Sequence, residues 1–127
     1  MGFLAKIHGS VSKNEVMEQF RRHHDVEDLG EECRTDRIKD LDLWKLESIP
    51  VSKIYLYGDR DPVSEPFGED EEEKSEKFAG RKTKFPAIIV EKKNDKYITI
   101  DGAHRARAAF LRGDSHMDAY VGSMLGC

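Results

Sequence analysis

Little in this chain would staple it together or hold it in a membrane. Its 127 residues include two cysteines, Cys33 and Cys127. That is too few for a disulfide framework and points to a reducing compartment. No apolar run approaches the about 20 residues that span a bilayer, so a cytoplasmic location is expected and no membrane partner is. There is one tryptophan, and no internal repeat. Net charge is only −4, so attraction of the whole molecule to nucleic acid or to an anionic surface is not expected.

What is present suits a small globular fold. Hydrophobic residues make up 38% and charged residues 36%, so a compact core lies under a heavily solvated surface. The charge is unevenly spread. Residues 65–77 hold seven acids and two lysines, whereas residues 78–127 hold nine Lys and Arg against five acids. A local anion site is therefore compatible with a mildly acidic chain.

The pattern along the chain predicts an α/β (α+β) domain. Ser12-Lys13-Asn14-Glu15 reads as a capping box opening a helix that runs to near Gly30, with Val11 and Val16 as its hydrophobic staple. A second short helix is expected from Arg37 to Lys45. Ser48 to Leu56 reads as extended, with Pro50 marking an edge or entry position. The acidic run from Glu69 to Lys77, an insert near 65–77, reads as an exposed helix or a disordered loop, in either case solvated. Phe85 to Glu91 is a strand by composition, Asn94-Asp95 a turn, and Lys96 to Ile100 its partner strand. Ala103 to Arg112 is helical, Gly113 is placed to cap it, and Met117 to Val121 is a last strand. Residues 1–47 form a helical N-terminal extension in this reading, and residues 48–127 the domain proper.

The informative stretch is Ile100-Asp101-Gly102-Ala103-His104-Arg105. A strand runs into a helix there, and the N–H groups and dipole of a helix N-terminus favour an anion. Gly102 lets backbone approach a ligand closely. His104 and Arg105 can both donate to phosphate oxygens. Three plainer roles stand beside this one: Asp101 capping the helix, Gly102 making the turn, and Arg105 pairing with a nearby acid. Arg107 and Arg112 are further candidates for anion or nucleic-acid contacts, with Arg105 and Arg112 expected on one helical face, or else they are plain surface residues.

With Ile49-Pro50-Val51, Phe85-Pro86-Ala87-Ile88-Ile89-Val90 and Asp101-Gly102-Ala103-His104-Arg105 in this order, residues 48–122 resemble the ParB/sulfiredoxin superfamily. The Asp-Gly-x-His-Arg form is similar to that of the free serine kinases of this fold. The resemblance implies a small mixed sheet with helices. It implies nucleotide phosphates on Gly102, Ala103, His104 and Arg105, and Asp101 beside the transferred phosphoryl group or a Mg²⁺ ion. Asp59 or Asp61 would act as base toward a hydroxyl. ATP or ADP is the implied cofactor, with CTP a further candidate. Ala103 stands where sulfiredoxins carry their reactive cysteine, so sulfinic-acid reduction is not expected.

Two functions follow. One is a phosphotransferase acting on a small hydroxyl compound, or a nucleotide hydrolase. The other is a non-catalytic module that binds nucleotide or DNA and acts through a partner, with a homodimer as a candidate assembly. A nuclease ranks last, because no dense carboxylate cluster suits two metals. His23, His24, Cys33 and His116 are metal-ligand types in no zinc spacing, so no metal site is expected among them. Phe20 and Trp44 read as core rather than as stacking platforms.

Overall fold

The computed structural model describes residues 10–23, 31–56, 62–65, 69–80 and 84–124. Their elements are α1 (Lys13–His23), α2 (Glu31–Asp40), β1 (Leu43–Pro50), a 3-10 turn (Val51–Lys53), β2 (Ile54–Tyr55), α3 (Glu69–Ala79), β3 (Ile88–Lys93), β4 (Lys96–Asp101), α4 (Ala103–Arg112) and β5 (His116–Ser123). The strands form one mixed sheet in the order β1-β5-β3-β4-β2. β1 runs antiparallel to β5, β5 parallel to β3, β3 antiparallel to β4, and β4 parallel to β2. The α/β class and the mixed sheet expected from the sequence are both present.

Alternation along the central strands divides the core between two faces. Ile88 and Val90 of β3, with Met117, Ala119 and Val121 of β5, pack with Ala103, Ala106 and Ala109 of α4. Ile89 and Tyr120 point the other way and pack with Val16, Met17 and Phe20 of α1 and Ile38 of α2. Ile88, Ile89 and Phe20 are fully buried, each contributing about 1.5–3 kcal/mol of transfer free energy. Phe20 and Trp44 are core, as expected.

α1 starts where its cap requires. The Ser12 hydroxyl accepts the Glu15 N–H at 3.1 Å, and the Val16 N–H reaches the Ser12 carbonyl at 3.2 Å. The expected end of this helix near Gly30 lies outside the described residues. α2 departs from expectation. It ends at Asp40, and Leu43, Trp44 and Lys45 belong to β1 rather than to a helix. Trp44 pairs with Gly122 across β1 and β5, and it is the flat Gly122 that leaves room for the indole. Position 47 falls inside β1, and the helices before it cover the second face of the sheet. The extended stretch Ser48 to Leu56 is also broken. Its chain passes through the 3-10 turn from one edge of the sheet, β1, to the other, β2. Pro50 does lie on an edge strand, as its missing donor requires.

Candidate functional site

β4 delivers the chain to Asp101, and α4 begins two residues later. Between them Gly102 has φ +103° and ψ 24°. The turn also presses its backbone onto β3. A Cβ built on Gly102 would lie 2.5 Å from Ile88 Cγ2, 2.8 Å from Ile88 Cβ and 3.2 Å from Arg105 Nη2. Only glycine meets both demands. The helical ladder opens with the Ala106 N–H donating to the Gly102 carbonyl at 2.9 Å. The N–H groups of Ala103, His104 and Arg105 lie in the turn ahead of that ladder. The helix carries no acidic residue in its first turn, and Asp101 stands two positions before it.

The side chains of the turn face inward. Asp101, Ala103, His104 and Arg105 are all buried, His104 to 1% exposure. Arg105 Nη2 pairs with Asp101 Oδ2 at 3.0 Å, and both side chains are within 3% of complete burial. Arg105 Nη1 donates to the Pro86 carbonyl at 3.2 Å and the Ala87 carbonyl at 3.0 Å. Arg105 thus ties the start of α4 to the approach of β3, the role of pairing with a nearby acid that its neighbourhood left open. Asp101 meets that pair through Oδ2, and the N-cap position is Gly102.

The other arginines of α4 are engaged elsewhere. Arg107, 5% exposed, grips Glu72 of α3 in a planar fork, Nε to Oε1 and Nη2 to Oε2, both at 3.0 Å. Its Nη1 donates to the Val63 carbonyl at 2.8 Å. Arg112 holds Asp114 Oδ2, at 3.0 Å from Nε and 2.6 Å from Nη2, and lies 4.1 Å over the Phe85 ring. Arg105 is buried and bonded to the residues before β3, whereas Arg112 is held by Asp114 of its own loop. Asp59 and Asp61 lie outside the described residues.

The acidic run is not merely solvated. It folds as α3, with Glu73 and Lys77 paired at 3.7 Å on its exposed side. Ser75 is fully buried, and Phe78 packs edge-on to Phe85 with ring centroids 6.4 Å apart. Glu72 is a structural partner that sequence reasoning missed. It sits in a run of like charges, and its partner Arg107 is 35 residues away. The only trace in the sequence is a second arginine two positions after Arg105, which a helix must turn toward a different neighbour.

Among the described residues no group of three or more His, Cys, Asp or Glu could hold a metal ion. His116 is exposed, with Nδ1 at 3.1 Å from the Ser115 hydroxyl. No described helix is long and apolar enough to cross a membrane.

No family model matches the sequence, and no curated protein matches it. Among solved structures, the chain is similar to the C-terminally truncated chromosome-partitioning protein ParB from Caulobacter crescentus, crystallised with CTP-gamma-S. The likeness lies in the fold. It covers 64% of this chain and 46% of that one, at 21% identity and a TM-score of 0.45. This chain thus matches less than half of that ParB chain.

Proposed function

We propose that the turn from Asp101 to Arg105 binds the phosphates of a nucleotide and that the chain acts as a ParB-like nucleotide-binding module. The observation that carries this is Gly102. A glycine at φ +103°, pressed against Ile88, turns the end of β4 directly into the N-terminus of a ten-residue helix, where the helix dipole favours an anion. The ligand contacts are main-chain, from Ala103, His104 and Arg105. The Arg105 guanidinium supports them from behind by holding Asp101 and β3 in place.

Binding is favoured over phosphotransfer by the position of Asp101. Its carboxylate is 1% exposed and committed to Arg105, which leaves it poorly placed to meet a metal or a reacting hydroxyl. A kinase or hydrolase would have to draw its base from the loop holding Asp59 and Asp61. CTP, ATP and ADP, each with and without Mg²⁺, are the ligands to test.

The test is a titration of ¹⁵N-labelled protein with each nucleotide. The amide signals of Gly102 to Arg105 are expected to move first. Binding that moves signals elsewhere and leaves these unchanged would place the ligand outside the turn. Absence of binding to all three would overturn the function. Release of ADP from ATP in the same samples would bring the catalytic reading back.

A further inference from the structure

On the face of the sheet that packs with α4, β5 carries short side chains and its neighbours carry long ones. Ala119 and Val121 cluster there with the alanines of α4, and alternation adds Ser123 to the same face. Across the β1–β5 ladder these three pair with Glu47, Lys45 and Leu43. On the other side Val121 pairs with Val90 of β3, so Lys92, two positions on, stands beside Ser123. Short side chains between long ones leave a trough along β5. Beyond Ala119 it is open, a groove of about 460 Å³ whose lining includes Asn94 of the β3–β4 turn. That volume suits a small-molecule site.

The charges of the groove are unbalanced. Elsewhere the cations of this acidic chain hold carboxylates, as Arg37, Lys84, Arg105 and Arg107 do. Lys45 and Lys92 flank the trough from opposite sides, and neither has a carboxylate partner among the described residues. The Lys92 ammonium lies 5.9 Å from the centre of the Tyr97 ring. Glu47 is the acid of the lining, and it pairs with Ala119, at the end toward α4. Between the two lysines the floor is apolar, with Val121 5% exposed and Leu43 46% exposed at the rim.

We propose that this groove is a second binding site and that it takes a small organic anion, a carboxylate on a short apolar body. The acid group sits between Lys45 and Lys92, beside the Ser123 hydroxyl, and the body covers Val121 and Leu43. Glu47 repels the acid from the inner end and so sets the direction in which the ligand lies. The groove is separate from the Asp101–Arg105 turn. Asp101 pairs with Ile89, whereas Lys92 pairs with Tyr97 toward the hairpin end of β3. Binding here is therefore independent of whether the turn holds a nucleotide.

The experiment follows the backbone amide signals of the full chain, labelled with ¹⁵N, during titration with sodium hexanoate. Acetate supplies the acid without the body, and hexanol the body without the acid. Hexanoate is expected to move the signals of Lys92, Asn94, Val121 and Ser123, and to bind about fivefold or more tighter than either acetate or hexanol. Lys45→Gln and Lys92→Gln alter exposed side chains and leave the core intact. Each is expected to weaken hexanoate by about three- to fivefold. Lys93→Gln is the control. It removes the same charge one residue along β3, on the opposite face, and is expected to change affinity by less than about twofold. Acetate or hexanol binding as tightly as hexanoate overturns the proposal. Equal weakening in all three variants, or none in Lys45→Gln and Lys92→Gln, also overturns it. So does movement confined to residues outside the groove, or no movement up to about 10 mM hexanoate.

Discussion

Three glycines allow the cost of the β4–α4 turn to be separated into parts. Gly113, which caps α4, has φ +86° and nothing within 4 Å of a built Cβ. Gly113→Ala therefore meets a backbone penalty alone, about 1–2 kcal/mol. At Gly122 the opposite holds. Its φ is ordinary, but a Cβ would fall 2.6 Å from Trp44 Cη2 and 2.8 Å from Leu41 Cδ1. Gly122→Ala meets overpacking alone, about 1–3 kcal/mol. Gly102 meets both, since φ is +103° and the Cβ would sit 2.5 Å from Ile88 Cγ2. Ile88 is fully buried on a central strand and has no free direction in which to move. Gly102→Ala is therefore expected to cost about the sum, 2–5 kcal/mol, out of a total near 5–15 kcal/mol for a domain of ordinary stability. Urea denaturation followed by Trp44 fluorescence measures all three. With a slope of about 1–3 kcal/mol per molar, the midpoint of Gly102→Ala should fall by roughly 1 M or more at unchanged slope. A Gly102→Ala variant no less stable than Gly113→Ala would refute the close approach to Ile88 and, with it, the reason for glycine at this turn.

Other expectations follow from the ion pairs and from one tyrosine. Arg105→Ala strands the Asp101 carboxylate and should cost about 3–5 kcal/mol in urea denaturation, whereas replacing both by apolar residues of similar size should cost less; equal losses would contradict the buried pair. Arg37 holds Glu91 through Nε at 2.8 Å and through a second bond from Nη2, which raises the Arg37 pKa further above its ordinary value. Arg37 is 40% exposed, so a double-mutant cycle with Glu91 should give a coupling of only about 1 kcal/mol, smaller in high salt; additivity of the two variants would remove the pair as a link between α2 and β3. Burial first, and then the charge of Glu15, raise the pKa of Tyr120 above its ordinary value of 10.0. The folded chain then keeps a proton that the unfolded chain loses, so this contribution is whole below pH 10 and declines as pH rises through the folded value. Tyr120→Phe should lose less stability than the unaltered protein across that alkaline range, and parallel pH profiles would show that the phenol is not perturbed.

Much of the frame was legible because it depends on neighbours close in sequence. The Ser12 cap, the β3–β4 hairpin, the start of α4 after Gly102 and its end at Gly113 each follow from a few adjacent residues. What was not legible depends on distant partners. Leu43-Trp44-Lys45 has no strand signal of its own, and it becomes β1 because Trp44 fits over Gly122, 78 positions later. The acidic run is solvated by composition, and only the grip of Arg107 shows that one of its carboxylates is structural. The same limit applies to Arg105. Its position in a motif that resembles a phosphate-binding one suggests an outward guanidinium, whereas the two carbonyls that hold it inward come from Pro86 and Ala87, just before β3, and the carboxylate from the end of β4.

The inward turn of these arginines bears on how the site can work. Arg105 and Arg107 are two positions apart, so a helix sends them to different sides. One locks the turn to the sheet, and the other locks α3 and Val63 to the helix. The main-chain groups between them are thereby fixed before any ligand arrives, and a ligand need not provide the entropy of ordering them. On the proposed reading, a site built this way would recognise the shared feature of its ligands, the phosphates, through main-chain groups that side-chain substitution does not remove. Selectivity for one nucleotide must then come from side chains outside the turn. Variants at Arg105 should weaken all phosphate ligands alike through the fold, while variants that change preference among CTP, ATP and ADP should lie elsewhere. An Arg105 variant of unaltered stability that switched nucleotide preference would break this division.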